Sequence, residues 1–388
     1  MPTRHPRLLI SLACLTAAGL LGACSTASST SSSNSGSDSG SGLYGAKGVA
    51  LAPDYEVDHD AWEALGFRWE WNSRPPMVKG GQMQYADAYD DVIVLQDSGS
   101  LLSVIETSTG KVRWYKQVRE TVTRFVGNTR QGDSIIVANE TELFEFDVNT
   151  GNTIDRTDLK TIATTRPAMF GEMAIIGNAS GRLIAIDTKN DVRIWEYQYD
   201  GLLESPPIAI DDFTVAAVST TGDLRVLDVD SARTKASARI SGNAGGDMLT
   251  DGEFLFIGSI DQSVYAFDLF DGSRVWRHRS GAPVTIQTTL IYETLFATTK
   301  DSGLIAFDAV TGDTLWTNPD IGGWVVTTTD DDLIIWTGGE ILRVDPERGD
   351  VIARTVLSRV SGVRSNTLIN GEIFVISAEG TVAKFSAR

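Results

Sequence analysis

The sequence predicts an all-β fold: an eight-bladed β-propeller of four-stranded antiparallel blades, its ring closed by a strand from the N-terminal side. Three observations carry this. An Asp-centred motif recurs at steps of about 40 residues, a second acidic ladder keeps the same period, and the segments between them read as short strands.

The clearest unit is LIAFDAVTGDTLW, residues 304–316. Alternating apolar residues end in an Asp, a Thr-Gly turn follows, and a Trp stands four residues beyond the Gly. Related units are VYAFDLFDGSRVW (264–276), LIAIDTKNDVRIW (183–195) and LLSVIETSTGKVRW (101–114), with weaker copies starting at Leu143, Leu224 and Ile341. The Asp place falls at Glu106, Asp147, Asp187, Asp228, Asp268, Asp308, Asp345 and Ser386. The second ladder marks the first hairpin turn of each unit, at Asp91, Asp133, Glu172, Asp212, Glu253, Glu293, Asp332 and Glu372. Two ladders with one period make an internal repeat of propeller-blade length.

Each unit is built from β-branched and aromatic runs broken by Gly, Asp and Asn, as in EFLFIGSI, SVYAFDLF and RVWRHRS (253–260, 263–270 and 274–280). Four strands of about five residues fill one unit. No helical periodicity is expected after residue 60. The last unit stops at its third strand, so GFRWEWNS (66–73) is expected to supply the missing fourth, with Trp69 or Trp71 in the docking place.

The motif's first role is structural. Asp187, Asp268 and Asp308 are expected to cap turns by accepting backbone N–H bonds, and Gly272 and Gly312 to take positive φ there. Trp114, Trp195, Trp276 and Trp316 then lie flat on the neighbouring blade. The run Ala306-Phe-Asp308, Thr311-Gly312 and Trp316 resembles the tryptophan-docking motif of quinoprotein-type (PQQ-like) propeller repeats, Ala-x-Asp-x-x-Thr-Gly-x-x-x-Trp. The resemblance covers residues 64–388 and is nearly silent on activity.

The N-terminal part reads as a lipoprotein signal, residues 1–23. Arg4 and Arg7 form a basic start, 8–20 an apolar core too short to span a bilayer comfortably, and Leu21-Gly22-Ala23-Cys24 resembles a lipobox. The resemblance implies lipidation at Cys24. Cys14 would leave with the signal, so no disulfide is expected. Residues 24–60 form a Ser/Gly-rich linker and a strap, and 61–388 the propeller. The linker 25–42 has a coil span of roughly 25 Å. Ser25 after the lipidated Cys favours the outer membrane by the sorting rule of well-studied Gram-negative bacteria.

Little in the chain supports catalysis. His59 and His278 are the histidines beyond the signal, and His278 reads as a solvated outer-strand residue. No His/Cys grouping has metal-ligand spacing, and no nucleophile motif or phosphate loop occurs. No cofactor and no metal are expected. The acidic pairs Asp90–Asp91, Asp211–Asp212 and Asp330–Asp332 fall at the repeat turns, where Asp is a turn residue. A net charge of −18 argues against nucleic acid as a partner. Residues eight places before the acidic ladder vary from blade to blade and include Phe125, Glu204, Trp324 and Arg364; such a mix would suit a protein-binding patch, or equally channel filling.

Eight repeats, total length, lipobox and the terminal EGTVAKFSAR together resemble the BamB-type outer-membrane assembly lipoproteins. The resemblance implies a non-enzymatic scaffold in the periplasm, anchored to the outer membrane only by lipid. Its implied partners are a BamA-type β-barrel insertase, other assembly-complex lipoproteins and nascent outer-membrane proteins. The family's partner loop aligns with YDGLLESPP (199–207), which keeps Leu202, Leu203 and Glu204 but lacks the family's Arg. Alternatives on the same scaffold are a different envelope protein- or polymer-binding propeller and a quinone-dependent dehydrogenase.

Overall fold

Thirty-two strands in eight four-stranded antiparallel sheets arrange residues 57–118 and 124–388, the part of the chain that the computed structural model describes. Seven sheets are continuous in sequence: blade 1 spans 83–117, blade 2 125–158, blade 3 168–198, blade 4 208–239, blade 5 249–279, blade 6 289–318 and blade 7 324–356. Blade 8 takes three strands from the end of the chain and its outer strand, Phe67–Ser73, from the beginning. Phe67 pairs with Ala387 and Ser73 with Val382. This is the expected closure, and it removes the edge that an open ring would leave.

Burial follows position in the blade. The second strand of blade 1, Val92–Asp97, is buried at every residue, because both of its faces meet neighbouring blades. The outer strand of blade 5, Arg274–Arg279, buries Trp276 and half-buries His278 while its other residues face solvent. Successive side chains of a strand alternate faces, so Trp276 and His278 share the face turned to blade 6. This corrects the sequence expectation for His278. It packs on Phe307 with ring centroids 4.7 Å apart, and burial holds its pKa below the ordinary 6.5.

The docking motif joins two blades. Asp308 Oδ1 accepts from the backbone N–H groups of Val310 (3.0 Å) and Thr311 (2.8 Å), and Gly312 closes the turn at φ +76°. The indole of Trp276, from blade 5, covers that turn and donates from Nε1 to Ala309 O at 2.9 Å. A Cβ on Gly312 would lie 2.5 Å from Trp276 Cδ2, so the turn needs Gly for contact as well as for φ. The same arrangement recurs with Trp114 over Gly151, Trp316 over Gly349 and Trp71 over Gly110. Trp71 therefore fills the docking place of blade 8, and donates to Thr107 O at 3.1 Å; Trp69 is partly exposed. Trp195 donates to Val229 O at 2.6 Å over a turn where Ala232, at φ +55°, replaces the Gly.

Where the Trp is missing, the seam is closed differently. Ala236 holds the docking place of blade 4, and Gly272 of blade 5 meets the backbone of Ser237 instead of an indole. In blade 2, Thr157 Oγ1 donates to Thr188 O at 3.2 Å. The helix His59–Ala64 was not legible in the sequence; six residues are too few for a periodic signal. Asp58 caps it, accepting from Ala61 N at 3.0 Å. Its Trp62 is buried between blades 7 and 8.

Candidate partner-binding surfaces

The two ends of the ring differ in their loops. At one end the first and third hairpin turns of each blade sit together: Val229 N donates to Phe213 O (3.0 Å) in blade 4, Leu269 N to Glu253 O (3.0 Å) in blade 5 and Ala309 N to Glu293 O (2.9 Å) in blade 6. At the other end the blade-to-blade connectors meet the middle turns, as where Thr220 N donates to Leu202 O at 2.8 Å and Ile260 N to Asn243 O at 3.1 Å. The stretch 199–207 is one of these connectors.

Within it, alternate residues point in and out. Tyr199 and Leu203 are buried in the cluster between blades 3 and 4, and a Cβ on Gly177 would lie 2.6 Å from Leu203 Cβ. Leu202 and Glu204 face solvent, and Glu204 accepts from Asn243 Nδ2 at 3.0 Å. Of the residues expected to meet a partner, Leu202 and Glu204 are thus the exposed pair. Phe125 and Leu203 are core residues, and neither offers a surface. Trp324 is half-buried against the Trp62–Phe385 cluster. Arg364 points into the middle of the ring, where its Nε donates to Ala86 O at 2.8 Å. The expected patch is not brought together, and bulges give the reason. The inner strands of blades 1, 2, 7 and 8 each shift register near their start, as between Phe125 and Gly127 or Val325 and Thr327, while no shift occurs in the short inner strands of blades 3, 5 and 6. Equal spacing from the turn therefore does not give equal orientation.

Around the ring axis the inner strands hold a charged group that spacing alone did not single out. Asn128 Nδ2 donates to Asp87 Oδ2 at 2.6 Å, and Tyr89 OH donates to Asn128 Oδ1 at 2.8 Å. Arg166, leading into blade 3, pairs with Asp247, leading into blade 5, at 2.6 Å. Burial raises the Asp87 carboxyl above its ordinary 3.8, and Arg364 and Arg166 oppose that rise. These are paired groups that fill and tie the axis, with no nucleophile among them. Among the described residues, no group of three or more His, Cys, Asp or Glu side chains could hold a metal ion, and no helix is long and apolar enough to cross a membrane. Cys24 lies outside the described residues.

Comparison with known proteins agrees with this architecture. The chain is a PQQ-like β-propeller. It belongs to the family described as outer membrane protein assembly factor BamB, whose model matches residues 58–278 and 270–388. No curated protein matches the chain. Among solved structures, BamB from Moraxella catarrhalis is 19% identical with a TM-score of 0.66, covering 82% of this chain and 97% of that one. The computationally designed Ika8 protein (12%, TM-score 0.68, 81% and 98%) and the C-terminal WD40 domain of Sif2 (11%, 0.64, 82% and 96%) share the fold as well. At these identities the structural likeness speaks for the fold alone.

Proposed function

We propose that this protein is a lipid-anchored periplasmic scaffold that binds a BamA-type insertase and assists the assembly of outer-membrane β-barrel proteins. Membership of the BamB family across 58–388 carries this reading. Residues 1–23 act as its signal, Cys24 carries the lipid, and residues 24–60 link it to the periplasmic face of the outer membrane. Leu202 and Glu204 are the contact residues for the insertase, because of the residues expected to meet a partner they are the two whose side chains face solvent on the connector end. The protein works by binding and not by catalysis.

The test is a titration of the purified lipoprotein with the periplasmic region of the BamA-type protein from the same bacterium. Saturable binding that weakens about tenfold in Leu202→Asp, an exposed position whose change leaves the fold intact, supports the reading. Absence of binding to that region, with the propeller folded, would remove it.

A further inference from the structure

We infer a second docking surface on the opposite end of the ring, formed by the turns of blades 4 to 6, for a protein segment that carries both Lys/Arg and apolar side chains. It goes beyond the insertase reading and stands whether or not that reading holds.

The repeat is its own control. Two places after the turn Asp, the third hairpin turn carries Asn149 in blade 2, Lys189 in blade 3, Asp230 in blade 4 and Glu347 in blade 7. In blades 5 and 6 the same place holds Phe270, 92% exposed, and Val310, 50% exposed. The turn itself asks for nothing apolar there, since Phe270 contributes its backbone N–H to Asp268 Oδ1 (2.7 Å), as any residue could. The first hairpin turn makes the comparison sharper. The residue ahead of the acidic ladder is Gly132 in blade 2, Gly171 in blade 3, Gly252 in blade 5 and Asp331 in blade 7, all at positive φ. Blade 6 places Tyr292 there, at φ +52° and 69% exposed. A bulky side chain in the left-handed region costs backbone energy that Gly would not, and here it gains no burial in return. Phe213, 66% exposed on the blade 4 turn, extends the arc.

Charge decides the occupant. Asp212, Asp230, Asp251, Asp271, Glu293 and Asp313 stand exposed on these same turns, none within 4 Å of a Lys or Arg nitrogen among the described residues. Arg233 is the one basic residue within them, and one further cation, the Lys235 ammonium, reaches the blade 4 turns, where it donates to Phe213 O at 2.9 Å and lies 3.8 Å from Asp228. Aromatic tips among carboxylates that bond only to turn N–H and hydroxyl groups, as Asp251, Asp271 and Asp313 do, match a segment that offers apolar side chains for burial and cations for the rim. An anionic bilayer surface would be repelled by the same carboxylates.

The full-length lipoprotein in detergent is titrated with a library of short peptides that vary the spacing of Lys/Arg and Leu/Phe, alongside charge-reversed copies, each with a photo-crosslinker. Basic apolar peptides should bind, weaken with salt and crosslink to the fragments holding Phe270 and Tyr292. Phe270→Ser and Tyr292→Gly should each weaken binding about tenfold with melting temperature unchanged or raised, while Tyr115→Ser, at an exposed outer strand elsewhere, should not. Failure of the whole library to bind, crosslinks mapping elsewhere, or equal affinity for the charge-reversed peptides would overturn the inference.

Discussion

The indole of Trp62 lies flat on the ring of Phe385, with centroids 3.6 Å apart and planes 10° apart. Phe385 holds the repeat place of Phe146 and Phe307, the rings beside which Trp114 and Trp276 of the preceding blades dock. The blade preceding Phe385 has Ala353 where a docking Trp would stand. The helix His59–Ala64 thus supplies from outside the repeats an indole that blade 7 lacks, at the seam where the ring closes. The indole N–H of Trp62 finds no acceptor among the described residues, whereas the repeat Trps donate to turn carbonyls. Trp62→Ala should therefore cost about 3–5 kcal/mol in denaturant unfolding, the cost of emptying a buried aromatic site. A loss below about 1 kcal/mol would mean that the seam closes without it.

Two glycines separate contact from conformation. Gly312 at φ +76° lies under Trp276, while Gly252 at φ +91° has open space around its missing Cβ. Gly252→Ala should cost about 1 kcal/mol, the backbone term alone. Gly312→Ala should cost that and at least 1–2 kcal/mol more, because the turn must move off the indole. Equal losses in urea unfolding would show that the docking contact contributes little.

Acid should weaken the ring in two steps of known sign. Burial lowers His278, so the unfolded chain takes up its proton first; the stability this residue supports is present above 6.5 and is lost as pH falls through its lower folded value. His278→Gln should flatten that part of the stability–pH curve. The turn carboxylates Asp147, Asp187 and Asp228 are held below 3.8, by hydrogen bonds from Thr150, Asn190 and Ser231 respectively. Their contribution is present above the ordinary carboxylate value and is lost as pH falls through their folded values. Replacing all three by Asn should shrink the steep loss at the acid end, read from unfolding midpoints across pH.

The proposed lipid anchor at Cys24 is tested by fractionation. Exchange of residues 1–24 for a secretory signal that is cleaved without lipidation should move the protein from the membrane pellet to the soluble periplasm without changing its unfolding midpoint. Retention in the membrane would place the anchor elsewhere.

The ring was legible in the sequence because each blade repeats the same turn chemistry: Asp268 and Asp308 declare the turn, Trp276 and Trp316 the seam, and Gly66–Ser73 the strand that the last blade lacks. The exceptions to the repeat were hidden. Trp62 lies in a helix too short to show a period. Asp87, Asn128, Arg166 and Asp247 come together through ring closure, across separations that no local pattern records. Phe125 read as a surface residue from its spacing to the acidic turn and Leu203 from the resemblance of 199–207 to a partner loop; a bulge after Phe125 and the geometry of the connector turn them inward. Phe270 and Tyr292 carry no motif; their exposure and the positive φ of Tyr292 single them out only once the fold is known.

The most direct test of the scaffold reading is crosslinking of the native lipoprotein in living cells of its own bacterium, followed by purification and mass spectrometry. A BamA-type insertase dominating the crosslinks, through peptides that contain Leu202 and Glu204, is the predicted result. An insertase abundant in the same membranes yet absent from the crosslinks would contradict it.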